Sequence, residues 1–146
     1  MKYIFAIATL TFSISNAHAL KVGDNSVYAG TTNGQAFTLF MTVSQINGDA
    51  YTASSTVSLG GQTETGDSTG SVNDIAQGNL VFGSCLAYGG TLESVATPAR
   101  AFTACHLTVQ GDELYVSPEV PFGFVKSITT REGSRIEMLL QSFLMQ

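Results

Sequence analysis

The amino-acid sequence predicts an all-β fold, an antiparallel meander of roughly eight strands forming a curved sheet (half-barrel) or a small barrel with one disulfide. Three observations carry this. Apolar residues recur with period two rather than 3.6, chain-turning pairs built on Gly, Asn, Asp and Pro punctuate the runs, and the only two cysteines, Cys85 and Cys105, lie behind a leader-like N-terminus.

That N-terminus sets the expected address. Lys2 precedes an apolar run from Tyr3 to Ile14, followed by the small and polar residues Ser15, Asn16, Ala17, His18 and Ala19. This order is that of a secretory signal peptide with an Ala-x-Ala cleavage site, so residues 1–19 are read as signal and residues 20–146 as a single β domain. The run is too short for a retained anchor, since a spanning helix takes roughly 20 apolar residues. No later stretch approaches that length, so no transmembrane segment is expected in the mature chain. An exported protein, periplasmic or extracellular, follows. In such a compartment Cys85 and Cys105 form a bridge, whereas a redox pair would be spaced Cys-x-x-Cys.

The first expected strand lies near Ser26–Thr31. In Gln35–Ile46, Phe37, Leu39, Met41 and Val43 share one face, a stripe that reads as core, while Thr38, Phe40, Thr42 and Ser44 share the other. Asn47-Gly48 then signals a hairpin turn with positive φ at both positions, and Ala50–Leu59 returns with Tyr51, Ala53, Val57 and Leu59. From Gly60 to Gly78 the apolar content collapses, which reads as a mobile loop or a weak edge hairpin. Further strands are expected at Asn79–Cys85, Thr91–Thr97, Ala101–Val109 and Glu113–Ser117. In Ala101–Val109, Cys105 falls with Leu107 and Val109 on the apolar face, where a bridge is protected. Phe122–Thr130 reads as a strand turning at Arg131-Glu132-Gly133. The last segment fits a helical stripe (Ile136, Leu139, Leu140, Phe143) or a strand (Ile136, Met138, Leu140), and the local Glu-Gly turn favours the strand.

Short motifs carry a resemblance. Thr97–Phe102, the element Val120-Pro121-Phe122-Gly123-Phe124-Val125-Lys126 (V-P-x-G-x-V-K), the closing Glu137, Leu140 and Phe143 (E-x-x-L-x-x-F), and an early Val22-Gly23-Asp24…Tyr28 resemble a loose group of secreted bacterial β-proteins of uncharacterised function. The chain departs from that pattern at Arg100 and Ala101. In outline such proteins are similar to curved antiparallel half-barrels that handle lipids or lipoproteins in the cell envelope. The resemblance therefore implies a β-fold and a lipid-handling or binding role.

The chemistry narrows by exclusion. The formal charge of −5, with few and scattered Lys and Arg, disfavours nucleic acid, because phosphate neutralisation needs clustered cations. His106 is the one histidine expected to remain after cleavage, with no Gly-x-Ser-x-Gly elbow, and reads as a strand residue rather than a catalytic base. Pairing the cysteines removes them as zinc ligands. Asp67 opens no calcium loop, since Thr69, Ser71 and Val72 occupy the ligand and Gly positions, and Glu64, Asp67 and Asp74 read as solvated. Glu93, Glu113, Glu119 and Glu137 could supply a glycosidase pair, although spacing along the chain does not select one. No catalytic residue, metal or cofactor is therefore expected. A non-enzymatic binding or carrier module leads, its partner a small apolar ligand, a lipid or an envelope protein, and its candidate ligand face carrying Phe40 and Tyr51. A structural or adhesive, fimbrial-like surface subunit comes second, and a hydrolase third.

Overall fold

The computed structural model describes residues 19–146, so the expected signal peptide lies, except for Ala19, outside the described residues. The chain folds as β1 (Asn25–Thr32), β2 (Gln35–Asn47), β3 (Ala50–Leu59), β4 (Gln62–Ser71), helix α1 (Val72–Gly83), a short 3-10 helix (Cys85–Tyr88), β5 (Thr91–Ala96), β6 (Ala101–Val109), β7 (Asp112–Val116), β8 (Phe124–Arg131) and β9 (Ser134–Leu144). All nine strands form one antiparallel sheet in the order β4-β3-β2-β1-β9-β8-β7-β6-β5. Two meanders, β1–β4 and β5–β9, are thus joined by the β1–β9 pairing, and among the described residues the sheet ends in two unpaired edges, β4 and β5, instead of closing into a barrel.

Tight turns connect the strands. Asn33, Gln110 and Glu132 adopt positive φ, each followed by a positive-φ glycine, which is the backbone of a two-residue hairpin turn matching the twist of its strands. The hairpin after β2 differs from the sequence expectation. Asn47 pairs with Ala50, so the central residues are Gly48 and Asp49, and Gly48 alone has positive φ (+61°). A glycine at the first central position is what a type II′ turn requires.

The segment 60–85 is where the structure departs most from expectation. Residues 62–71 follow the edge-hairpin alternative and not the mobile loop: they form the edge strand β4, paired with β3 along its whole length from Ala50↔Ser71 to Leu59↔Gln62. It carries almost no apolar residue because, at the rim, most of it is exposed. Asn79–Cys85, expected as a strand, is helical: α1 occupies Val72–Gly83. Its start is fixed by capping. The Ser71 hydroxyl and Asp49 Oδ1 both accept from the Asn73 N–H, Ser71 donates to Asp49 Oδ2 at 2.7 Å, and Asp74 places a negative charge in the first turn.

The core lies where the meanders meet and under α1. Tyr28, Phe102, Ala104, Val125 and Leu140 form its largest buried cluster. Val43, Ala53 and Phe122 form a second with Ile75 of α1 against it. The stripe Phe37, Leu39, Met41 and Val43 packs inward as expected, with Phe37 and Val43 buried and Leu39 and Met41 against the first cluster. Cys85 and Cys105 are bonded, their Cα atoms 5.7 Å apart, and are covered with Leu107 by Val81 and Phe82 of α1. Buried Asp24 clasps the ends of the described chain, accepting from Lys21 N and Gln146 N, each at 2.8 Å. Among the described residues no helix is long and apolar enough to cross a membrane.

Candidate binding site

Because paired residues of antiparallel strands share a face, the register assembles rows across the sheet. Thr91, His106, Tyr115, Lys126, Leu139 and Ala29 form one such row over six strands. Glu93, Glu113 and Glu137 flank it, each two residues along its strand from a row member, so they fall on the same face. The disulfide and α1 lie behind this face, because Cys105 alternates with His106.

The row is tied together laterally. The His106 and Tyr115 rings stack at 4.2 Å with planes 9° apart, and Lys126 Nζ lies 5.3 Å from the Tyr115 ring centroid. Glu93 Oε2 is 3.2 Å from His106 Nδ1. Glu113 Oε1 is 3.3 Å from Nε2, although off the alignment of a hydrogen bond, so this buried nitrogen makes none. Lys126 reaches Glu137 at 3.6 Å, and Arg135 reaches the other oxygen of the same carboxylate at 3.4 Å. Partial burial raises the Tyr115 phenol above its ordinary range, and the charges of Glu113, Glu93 and Glu137 push it the same way.

Beside this row lies an open cleft of about 300 Å³, walled by Val95, Tyr115 and Leu139 and rimmed by Glu93, Lys126 and Glu137. Its volume is at the small end of ligand pockets. Its charged lining of two carboxylates and one ammonium favours a neutral or cationic polar group over an anion. His106 does not line it. Both ring nitrogens face carboxylates and one ring face is covered by Tyr115, which makes the histidine a clamp on the cleft wall.

The residues singled out in the sequence separate. Phe40 pairs with Thr56 and Val27, is 40% exposed, and lies on the hydroxyl-rich outer side of β1–β4. Tyr51, at odd parity to Thr56 on the same strand, points to the other side, where its ring is tilted against Phe122 at 6.4 Å and its phenol is raised by burial and by Asp74. The two therefore do not share a face. Glu64 and Asp67 sit on edge strand β4, where Asp67 accepts from Ser54 at 2.6 Å, and Asp74 opens α1. Among the described residues no three His, Cys, Asp or Glu side chains are placed to hold a metal ion. Of the four glutamates considered for a carboxylate pair, Glu93, Glu113 and Glu137 come together, while Glu119 is engaged by Arg100 at 3.1 Å.

No protein-family model matches the chain, and no curated protein matches it. Among solved structures, it is similar to the crystal structure of MucB, with 15% sequence identity and a TM-score of 0.38 over 94% of this chain and 58% of that one. The chain thus spans less than two thirds of the MucB chain.

Proposed function

We propose that this chain is a non-enzymatic, exported binding module whose cleft beside β5 takes one small ligand. The observation that supports this reading is the cleft's composition: an apolar wall of Val95, Tyr115 and Leu139 meets a charged rim at Glu93, Lys126 and Glu137. Such a lining suits an apolar body ending in an amine or neutral polar group, the apolar part gaining about 25 cal/mol for each Å² removed from water. A lipid would enter with its chain against the wall. The arrangement around His106 supports binding over catalysis, since its nitrogens face Glu93 and Glu113 and not the cleft.

The test is uptake of dansylcadaverine, a fluorescent probe with an apolar ring system and a primary amine. Saturable one-to-one uptake, weakened about tenfold or more by Leu139→Asn and by Glu137→Gln with the circular dichroism unchanged, is the expected result. Uptake insensitive to both substitutions overturns the reading. The two unpaired edges favour, as a second reading, a structural subunit that assembles through its strands. Sedimentation of the mature protein separates the two: the binding module is monomeric at micromolar concentration, whereas a subunit forms concentration-dependent polymers.

A further inference from the structure

The two sheet edges differ in chemistry. Strand β4 is long and exposed and bears Glu64, Asp67 and two glycines, with no large apolar side chain. Charge of this kind blunts an edge against strand addition. Strand β5 is short, and five of its six residues are exposed. Three large apolar side chains are exposed on β5 and on the 3-10 helix tethered to its start. Leu86 is 78% exposed, Tyr88 59% and Leu92 55%. Their segments are tethered to one another: Leu92 pairs with Cys105, Cys105 is bonded to Cys85, and Cys85 opens the 3-10 helix that carries Leu86 and Tyr88. The Gly90 N–H donates to the Cys85 carbonyl at 2.9 Å and holds the 3-10 helix to the start of β5. On the other face of β5, Glu93 stands at the rim with Glu113 behind it across His106.

We infer that β5 is a docking edge for an extended polypeptide segment of another protein, with apolar side chains on one face and basic side chains on the other. An edge strand presents unpaired N–H and C=O groups, which only another extended backbone satisfies in series. Successive residues of the added strand point to opposite faces. Those on the Cys105 side meet Leu92, Leu86 and Tyr88, and those on the His106 side meet Glu93, in a chain whose overall charge is −5. Pro98 and the turn closed by Thr97 and Arg100 limit the docking window to about six residues, the length of β5. The apolar patch lies on the opposite face from the cleft, so this inference goes beyond the small-ligand reading and does not require it.

The experiment uses a fluorescein-labelled heptapeptide of alternating Leu and Lys, titrated with the mature oxidised protein and read by anisotropy. Three comparisons accompany it: a peptide of the same composition in block order, one N-methylated at alternate backbone nitrogens, and the protein variants Leu86→Asp and Leu92→Asp. The alternating peptide binds one to one, at least tenfold tighter than the block peptide. N-methylation on the edge-facing side abolishes binding, and each variant weakens it at least tenfold. Leu86→Asp leaves dansylcadaverine uptake unchanged, which separates failure here from failure of the cleft. Equal binding of alternating and block peptides, indifference to N-methylation, or no binding to the wild-type protein overturns the inference. So does sedimentation showing that Leu86→Asp dissolves a self-dimer, which makes the patch a contact between copies.

Discussion

Gly30→Ala tests the junction on which the nine-stranded sheet depends. Gly30 lies in β1 between Phe37 of β2 and Met138 of β9. A Cβ built there would stand 2.0 Å from the Glu137 carbonyl oxygen and 2.9 Å from Phe37 Cζ, where ordinary contacts begin near 3.4 Å. The ring could swing away, but the carbonyl belongs to the β9 backbone. Relieving the contact therefore moves β9 from β1 by more than an ångström. Overpacking of this kind costs about 1–3 kcal/mol, and disturbing one or two ladder hydrogen bonds adds about 1 kcal/mol each. The expected destabilisation is roughly 2–5 kcal/mol on these terms. Gly66→Ala in β4 is the internal control, because a Cβ there meets nothing within 4 Å; it should be neutral or stabilise by a few tenths of a kcal/mol. Urea unfolding midpoints at constant slope measure both. Equal midpoints for the two variants would refute the β1–β9 seam as described.

Replacing both cysteines by serine should cost about 3 kcal/mol through the 20-residue separation of the bridge, and native protein should resist iodoacetamide until reduced. Tyr28, fully buried and donating to the Phe124 carbonyl at 3.0 Å, has its phenol pushed well above the ordinary range chiefly by burial. The folded state thus holds this proton more tightly than the unfolded one; the contribution is intact below about pH 10 and is lost as pH rises above it. Tyr28→Phe should flatten that alkaline fall while costing about 1–2 kcal/mol at neutral pH, both readable from unfolding midpoints across pH. Gly48→Val, at φ +61°, should destabilise by about 1–3 kcal/mol, and an unchanged midpoint would place the turn elsewhere.

The strands were legible wherever one face packs inward, because alternation then records burial. Phe37 to Val43 and Ala101 to Val109 are examples, and so is the choice of a strand for β9 over a helical stripe. Strand β4 was legible only as one of two alternatives, a mobile loop or a weak edge hairpin, because an edge strand with most residues in solvent leaves no apolar alternation; its signal was the threonines at 63, 65 and 69. Helix α1 is hidden because Asn79–Cys85, taken without the cap upstream of it, reads as a strand, although Ser71-x-x-Asp74 before an apolar spacing of three and four is a helix-start signature. The cleft was the least visible part. Alternation assigns each side chain a face within its strand, but not a neighbour on the next strand. The register was nonetheless latent in two turns: Gln110-Gly111 sets Val109 against Asp112 and hence His106 against Tyr115, and Glu132-Gly133 sets Arg131 against Ser134 and hence Ile128 against Glu137. The same counting separates Phe40 from Tyr51, whose grouping ignored the parity of β3.

The claim that this protein binds rather than catalyses is tested most directly by dansylcadaverine titration of wild type, Leu139→Asn and His106→Ala side by side, each checked by circular dichroism. Saturable uptake that persists in His106→Ala, weakened by the loss of the ring that backs Tyr115, and is lost in Leu139→Asn is the predicted result. Uptake that ignores Leu139, or a defined hydrolytic activity that disappears in His106→Ala with the fold retained, would contradict it.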